Sequence, residues 1–428
     1  MRKKFFCFLS FGLAAVFSFG QDAPNLANGT QLSPNTAAAG KMSSSQVNHF
    51  TGTMGVSIPI YSYSDNSGLS LSISAQHSGG GIRTSEQSSI IGMGWYLNTG
   101  GSITRIVRGI PDDVPTYGFM YAAAIPTDFR SNGDKYYFDS LDTQQDIFQF
   151  SVNGRSGKFV IGKNKQIVLI PESKIKIQYT AQANQKITSF KITTEDGVKY
   201  IFDKGEMTAH HIDTYGDTYF KSQYSGYPHY GAWQLTQIIS PFYTDTIKFT
   251  YTTKSLNTGF AYPQAIFVRN SDKVVTATFD ATGTNTSSIN RLTKITFPDK
   301  KQVDFIYSDA FKYDDTDNAL SKIKISDTVF RYGYAFDYQT WYTGRGINFY
   351  GDSVDFDYPT NLLLKSITPY TLKEADKSYQ FVYNTPYPNY HDHAFGNNDS
   401  VNNGYDHWGY FNGRNNSTKS IPHRYRDL

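Results

Sequence analysis

From Phe50 onward, side chains alternate between apolar and polar with a period of two. Leu69-Ser70-Leu71-Ser72-Ile73-Ser74-Ala75 alternates over seven residues and predicts a strand with Leu69, Leu71, Ile73 and Ala75 on one face. A shorter run, Val56-Ser57-Ile58, leads into Pro59, and Ile103-Thr104-Arg105-Ile106-Val107-Arg108 resumes the alternation after a Gly100-Gly101 turn. Residues 112–146, with prolines at 115 and 126 and many small polar residues, read as a loop-rich insert. Further strands are predicted at Ile147–Phe150, Lys158–Ile161, Gln166–Ile170 and Lys174–Tyr179. No amphipathic helical pattern of twelve residues follows the first twenty, so the fold class predicted is all-β.

The second half of the chain repeats a unit. Leu235-x-x-Ile238 precedes Ile247-x-Phe249-x-Tyr251, and Leu292-x-x-Ile295 precedes Val303-x-Phe305-x-Tyr307 across Pro298-Asp299-Lys300. Leu320-x-x-Ile323 precedes Phe330-x-Tyr332-x-Tyr334, and Leu364-x-x-Ile367 precedes Tyr379-x-Phe381-x-Tyr383. An earlier relative joins Phe190-x-Ile192 to Val198-x-Tyr200-x-Phe202 through Glu195-Asp196-Gly197. Each unit has the grammar of a hairpin: a short strand, a turn of Asp, Gly or Pro, then a strand of alternating aromatics. One such hairpin is marginal in water, so the units are expected to stack into a continuous, curved antiparallel sheet.

Composition agrees with this pattern. Tyr (33), Phe (31) and Trp (4) make up 16% of the residues against 18% charged, which excludes a disordered chain and favours pleated structure. Residues 1–20 carry Arg2, Lys3 and Lys4, then an apolar stretch to Phe19 and small residues before Gln21, the pattern of a secretory signal peptide. Its three basic residues account for the whole excess of 40 Lys+Arg over 37 Asp+Glu. The mature chain is thus neutral overall and gives no argument for a nucleic-acid partner. Cys7, the single cysteine, leaves with the signal, so packing and hydrogen bonding must stabilise an exported protein without disulfides. No later apolar run reaches the length of a membrane-spanning helix.

Candidate chemistry is sparse. Of the acidic residues, 32 are Asp and five are Glu, and the Asp residues sit mostly beside Gly, Asn, Ser or Thr, as turn residues do. Asp314-Asp315-Thr316-Asp317-Asn318 and Asp355-x-Asp357 lack the Gly and bidentate Glu of a calcium loop. His391-Asp392-His393 and His407 form no recognisable zinc pattern. Gly79-Gly80-Gly81 and Gly92-x-Gly94 lack the Lys-Ser/Thr of a phosphate loop, and no nucleophile elbow is present. The residues themselves predict no catalytic site, no cofactor and no metal, hence a protein that is not an enzyme.

Two stretches resemble a known family. Gly52 to Tyr61 is the first part, and Ser88 to Asp112, containing Gly92-Met93-Gly94-Trp95-Tyr96-Leu97-Asn98-Thr99-Gly100-Gly101-Ser102-Ile103-Thr104-Arg105, is the second. Together they resemble the N-terminal segment of large secreted RHS/YD-repeat proteins, which are related to the shell-forming domains of insecticidal and virulence-plasmid toxins. Tyr405-Asp406-His407-Trp408-Gly409 resembles another landmark of that family. The resemblance implies an RHS-shell-like wall and a secreted or cell-surface location. It also implies a downstream RHS-core or toxin polypeptide as partner, with this chain a truncated or split member. It marks Gly92, Gly94, Trp95, Asn98, Gly100, Gly101 and Arg105 as structural residues of one corner, and Tyr405, Asp406, Trp408 and Gly409 as those of another.

The division expected along the chain is a signal peptide (1–20), a flexible leader (21–49), a Gly-rich β module (50–111) and the insert (112–146). A hairpin array (147–385) and a Gly/Asn/aromatic segment (386–428) follow. Two competing readings use the same features: an extracellular carbohydrate binder with open aromatic faces, and, less favoured, an outer-membrane β-barrel.

Overall fold

The computed structural model describes residues 47–48, 53–78, 88–122, 142–182, 186–215, 223–264, 279–311, 318–342, 345–347, 353–355 and 359–383. Within them the protein is all-β and its strand pairings are antiparallel, as the two-residue alternation predicts. β1 (Val47–Asn48), β2 (Thr53–Ser64), β3 (Ser70–Ser78) and β4 (Trp95–Asn98) form a four-stranded sheet in chain order. The alternating run Leu69 to Ala75 buries Leu69, Leu71, Ile73 and Ala75 together. β1 belongs to the stretch expected to be flexible leader, and it pairs with the start of β2.

The chain then enters a 16-stranded sheet through β5 (Gly101–Ile106), β6 (Ile147–Val152), β7 (Arg155–Ile161) and β8 (Ile167–Ile170). It continues through β9 (Lys176–Ala181), β10 (Ile187–Thr193), β11 (Lys199–Tyr215), β12 (Gln223–Ser225) and β13 (His229–Ile239). β14 (Thr246–Gln264), β15 (Phe279–Thr296), β16 (Gln302–Phe311), β17 (Asn318–Ser326) and β18 (Phe330–Tyr342) follow. β19 (Arg345–Ile347) and β20 (Ser353–Asp355) pair with each other, and β21 (Pro359–Tyr370) and β22 (Tyr379–Gln380) return to the large sheet.

Eight of these strands roll up. Their order is β8-β7-β6-β5-β13-β11-β10-β9, so the two end strands are consecutive in the chain. Phe159 on β7 and Phe190 on β10 lie five strand positions apart, which in a flat sheet is about 24 Å. Their ring centroids are 5.5 Å apart, a separation that only a curled sheet permits. Phe148 and Trp233 complete a buried quartet, with Phe148–Phe159 at 5.0 Å and Phe190–Trp233 at 4.8 Å. Aromatic pairing of this kind adds about 0.5–1.5 kcal/mol per contact beyond area burial.

From β13 the sheet continues as a meander, β14-β15-β16-β17-β18-β21-β22, made of the repeated hairpins. Register brings Ile238 opposite Ile247, Ile295 opposite Val303, and Ile367 opposite Tyr379. In the third hairpin Ile323 faces Tyr334. Its unit is therefore Tyr334-x-Phe336-x-Tyr338, displaced by four residues from the expected Phe330-x-Tyr332-x-Tyr334. Five aromatics at alternate positions (330, 332, 334, 336, 338) make the pattern degenerate, and the turn chooses the register.

The small sheet packs on this array. Tyr61 and Tyr63 meet Phe297 at 5.3 and 4.5 Å between centroids, and Trp95 meets Phe381 at 4.6 Å. Leu71, Leu235 and Phe249 close around Gly100. One apolar core runs through both sheets.

Candidate functional site

Arg105 is the most deeply buried basic side chain among the described residues. The alternation of β5 points Ile103 and Arg105 inward, 0% and 1% exposed, and the guanidinium carbon lies 5.4 Å from the Phe148 ring centre. Nη1 is 2.8 Å from Oδ1 of Asp113, while Nε and Nη2 each lie 2.7 Å from Oδ2 of Asp146. Asp113 also accepts the Ile187 N–H at 2.9 Å, tying β5 to β10.

Asp112 and Asp146 hold each other's backbone. The Asp112 N–H donates to Oδ2 of Asp146 at 2.9 Å, and the Asp146 N–H donates to both carboxylate oxygens of Asp112 at 3.1 Å. Arg108 N–H adds a third donor to Asp146 at 2.8 Å. The excursion between residues 112 and 146 thus leaves and re-enters the fold at one clamped point. Asp142, just before the return, is also buried, and a Cβ on Gly109 would stand 2.6 Å from its Oδ1.

One guanidinium cannot neutralise three adjoining carboxylates. Burial, then the neighbouring Asp146 charge, pushes Asp112 up to about 9. Burial likewise raises Asp146, although Arg105 opposes the shift. Both shifts favour the protonated form of the pair. Burial pushes Asp142 up to about 7. Burial opposes ionisation of Asp113 as well, but Arg105 and the Ile187 N–H outweigh it and hold Asp113 below the ordinary carboxylate range. The centre is sealed: Arg105 and these four aspartates are each at most 6% exposed. Its chemistry is closure of the chain, and it is not open to a substrate. Among the described residues, no group of three or more His, Cys, Asp or Glu is placed to hold a metal.

The other residues of the corner also do backbone work. Ser88 Oγ accepts the Leu362 N–H at 3.0 Å, and the Met93 N–H donates to Leu362 O at 2.7 Å. Gly92, at φ +102°, lies so near this strand that a Cβ would stand 2.8 Å from Leu364 N. Gly94 has φ +72°, and Asn98 Oδ1 caps the Gly100 N–H at 3.1 Å. A Cβ on Gly101 would stand 2.1 Å from Ser151 O, so β6 tolerates no side chain there. Trp95 donates its indole N–H to Tyr383 Oη at 3.0 Å. Gly92 and Trp95 therefore bind the small sheet to β21 and the residues around β22, while Gly101 and Arg105 build the rolled sheet. Tyr405, Asp406, Trp408 and Gly409 lie outside the described residues, as do residues 1–20, His391, His393 and His407.

A second device recurs along the array. Tyr251, Tyr307 and Tyr383 donate their hydroxyls to the carbonyls of Leu235, Leu292 and Leu364 at 2.7, 3.0 and 2.8 Å, and Tyr338 does so to Leu320. Each is the last aromatic of a unit bonding the Leu that opens the same unit. Burial raises the pKa of each of these phenols above the usual 10, so they stay neutral donors. The residue after that Leu latches neighbouring units: Thr236 to Ile201 O, Thr293 to Thr250 O and Ser321 to Ile306 O, at 2.9–3.2 Å.

Sequence reasoning missed the partners of Arg105, because Asp113 and Asp146 fall in the stretch read as a loop-rich insert and Asp112 entered only as the end of the family-like motif. It also missed Glu206, 2% exposed, which accepts Gln234 Nε2 at 3.1 Å and the Asn290 N–H at 3.0 Å, stapling β11, β13 and β15. An isolated Glu in an Asp-rich chain was the available signal. The open aromatic face required by a carbohydrate platform is scattered. Tyr117 and Tyr227 lie near the start of β13, and Phe242 and Tyr243 just beyond its end.

Among the described residues, no helix is long and apolar enough to cross a membrane. The chain matches no family model, and no curated protein matches it.

Proposed function

We propose that this protein is a secreted, non-enzymatic β-scaffold segment of the RHS/YD-repeat type. Its hairpin array forms part of a wall around a separate polypeptide, an RHS core or toxin module. The observation that carries this reading is the fourfold recurrence of the tyrosine latch. A unit that satisfies its own backbone and offers a hydroxyl latch to its neighbour extends by addition, which is the logic of a wall. The buried ionisable residues support the same reading, because they close the backbone and are turned away from solvent.

The test is co-expression of residues 21–428 with the polypeptide encoded downstream, followed by size-exclusion chromatography and limited proteolysis. A scaffold role predicts one complex in which the partner resists protease. Two separate species, with the partner cleaved as fast as when free, would remove the proposal.

A further inference from the structure

The repeated hairpins place all their tight turns on one rim. The β10–β11, β13–β14, β15–β16, β17–β18 and β21–β22 turns lie there. Three of these turns carry a large apolar side chain outward. Phe242 is 85% exposed, Val329 56% and Leu372 80%, and Tyr243 beside Phe242 is 67% exposed. With strands about 4.8 Å apart, the three tips are spread in a row over about 29 Å.

The tips are braced from below. Ser240 Oγ accepts the Thr244 and Asp245 N–H groups at 3.1 Å, and Lys199 Nζ bonds Pro241 O at 3.2 Å. Asp327 Oδ1 accepts the Val329 N–H at 3.1 Å, and Thr371 Oγ1 accepts the Lys373 and Glu374 N–H groups at 3.3 Å. Such turns hold Phe242, Val329 and Leu372 in the solvent and prevent them folding back. Three ion pairs lie on the rim, Lys301 with Asp299 and Arg331 with Asp327 at 2.7 Å and Arg155 with Glu195 at 3.0 Å, and the Leu372 turn sets Lys373 and Lys377 beside Glu374 and Asp376. The rim therefore offers no field of one sign.

We propose that this rim is a lipid-contacting surface, with Phe242, Tyr243, Val329 and Leu372 seated at the headgroup–acyl boundary of an electrically neutral leaflet. Separate convex points fit a fluid that deforms around them, whereas a protein partner would need a matching pocket for each. Apolar side chains held out on rigid turns meet little ordering cost when they insert. The locally paired charges predict binding that needs no anionic lipid and withstands salt.

The experiment is flotation of the mature chain with phosphatidylcholine vesicles, with and without phosphatidylserine, at low and high salt. Binding to neutral vesicles in both salts is expected. F242S/L372S should weaken it about a hundredfold with an unchanged melting temperature, because both side chains are in solvent. In F242W, the new indole should shift to the blue and be quenched by brominated phosphatidylcholine. Absence of flotation, binding that requires phosphatidylserine and vanishes in salt, or full binding by F242S/L372S would each overturn the proposal. So would concentration-dependent self-association lost in F242S/L372S without any lipid binding, since that assigns the tips to a second copy. The outcome is independent of the scaffold reading, which concerns an enclosed partner.

Discussion

The hairpin array and the Arg105 centre stabilise the same fold in opposite ways. In the array, four units repeat one scheme: a buried Ile, a Phe packed on the core and a tyrosine latch. Stabilisation there is distributed, and each unit leans mainly on its neighbours. At Arg105, two carboxylates meet one guanidinium directly and two backbone termini of an excursion are held by reciprocal bonds. Nothing repeats, so no neighbour can take over. The comparison predicts that the array tolerates loss of one latch better than the rolled sheet tolerates loss of its buried cation.

The sharpest way to break the comparison is Arg105→Leu. It leaves Asp113 and Asp146 buried without their cation, and breaking a buried pair costs about 3–5 kcal/mol. Urea denaturation should show that loss, together with faster proteolysis between residues 112 and 146. A midpoint near wild type would mean the centre is ornamental. Coupling sharpens the test: Asp146→Asn should rescue part of the Arg105→Leu loss, with an interaction energy above about 0.5 kcal/mol.

What was legible in the sequence follows the same divide. Period-two alternation and turn residues identified the hairpins, because these are local properties; Ile238 does face Ile247 and Ile295 does face Val303. The third unit slipped by four residues because its aromatics alternate without interruption, and alternation alone fixes the face but not the register. The Arg105 centre was half legible. Arg105 was singled out through the motif around it, but Asp146 lies 41 residues away, at the end of the stretch read as a loop-rich insert. Long-range pairing of charges leaves no periodic trace, so neither the clamp nor the rolling of β5 to β11 around Phe148, Phe159 and Phe190 was visible beforehand.

Within the array, Phe305→Ala should cost about 3 kcal/mol, the low end for truncating a buried Phe, because Phe305 is 4% exposed and belongs to the common core. Tyr307→Phe removes only the hydroxyl bond to Leu292 O and should cost about 1 kcal/mol. Tyr307→Phe and Tyr383→Phe lie in separate units, so their losses should add to within about 0.5 kcal/mol. Thermal or urea melts of the two single variants and the double variant decide this. Strong non-additivity would show that the rungs act as one body and would erase the contrast with Arg105.

The dependence on pH is the effect most specific to the centre. The Asp112 carboxyl is raised to about 9 in the folded chain against about 3.9 when unfolded, so between these values the native state holds the extra proton. A group raised in this way stabilises the fold fully below the unfolded value, and that contribution is lost as pH rises towards 9. Asp142, raised to about 7, acts in the same direction over the lower part of the range. Asp113 is lowered and acts oppositely, its contribution being lost as pH falls through its folded value, below the ordinary carboxylate range. From pH 5 to 8 the raised groups dominate, and stability should decline with a slope no steeper than about 1.4 kcal/mol per pH unit for each proton. Asp112→Asn retains a side-chain oxygen to accept the Asp146 N–H but has no proton to lose. Its urea midpoint should match wild type at pH 5 and exceed it at pH 8, whereas Tyr307→Phe should run parallel to wild type throughout that range. A wild-type curve that rises from pH 5 to 8, or an Asp112→Asn curve that follows it, would show that Asp112 holds no extra proton in the fold and that the two regions differ in geometry alone.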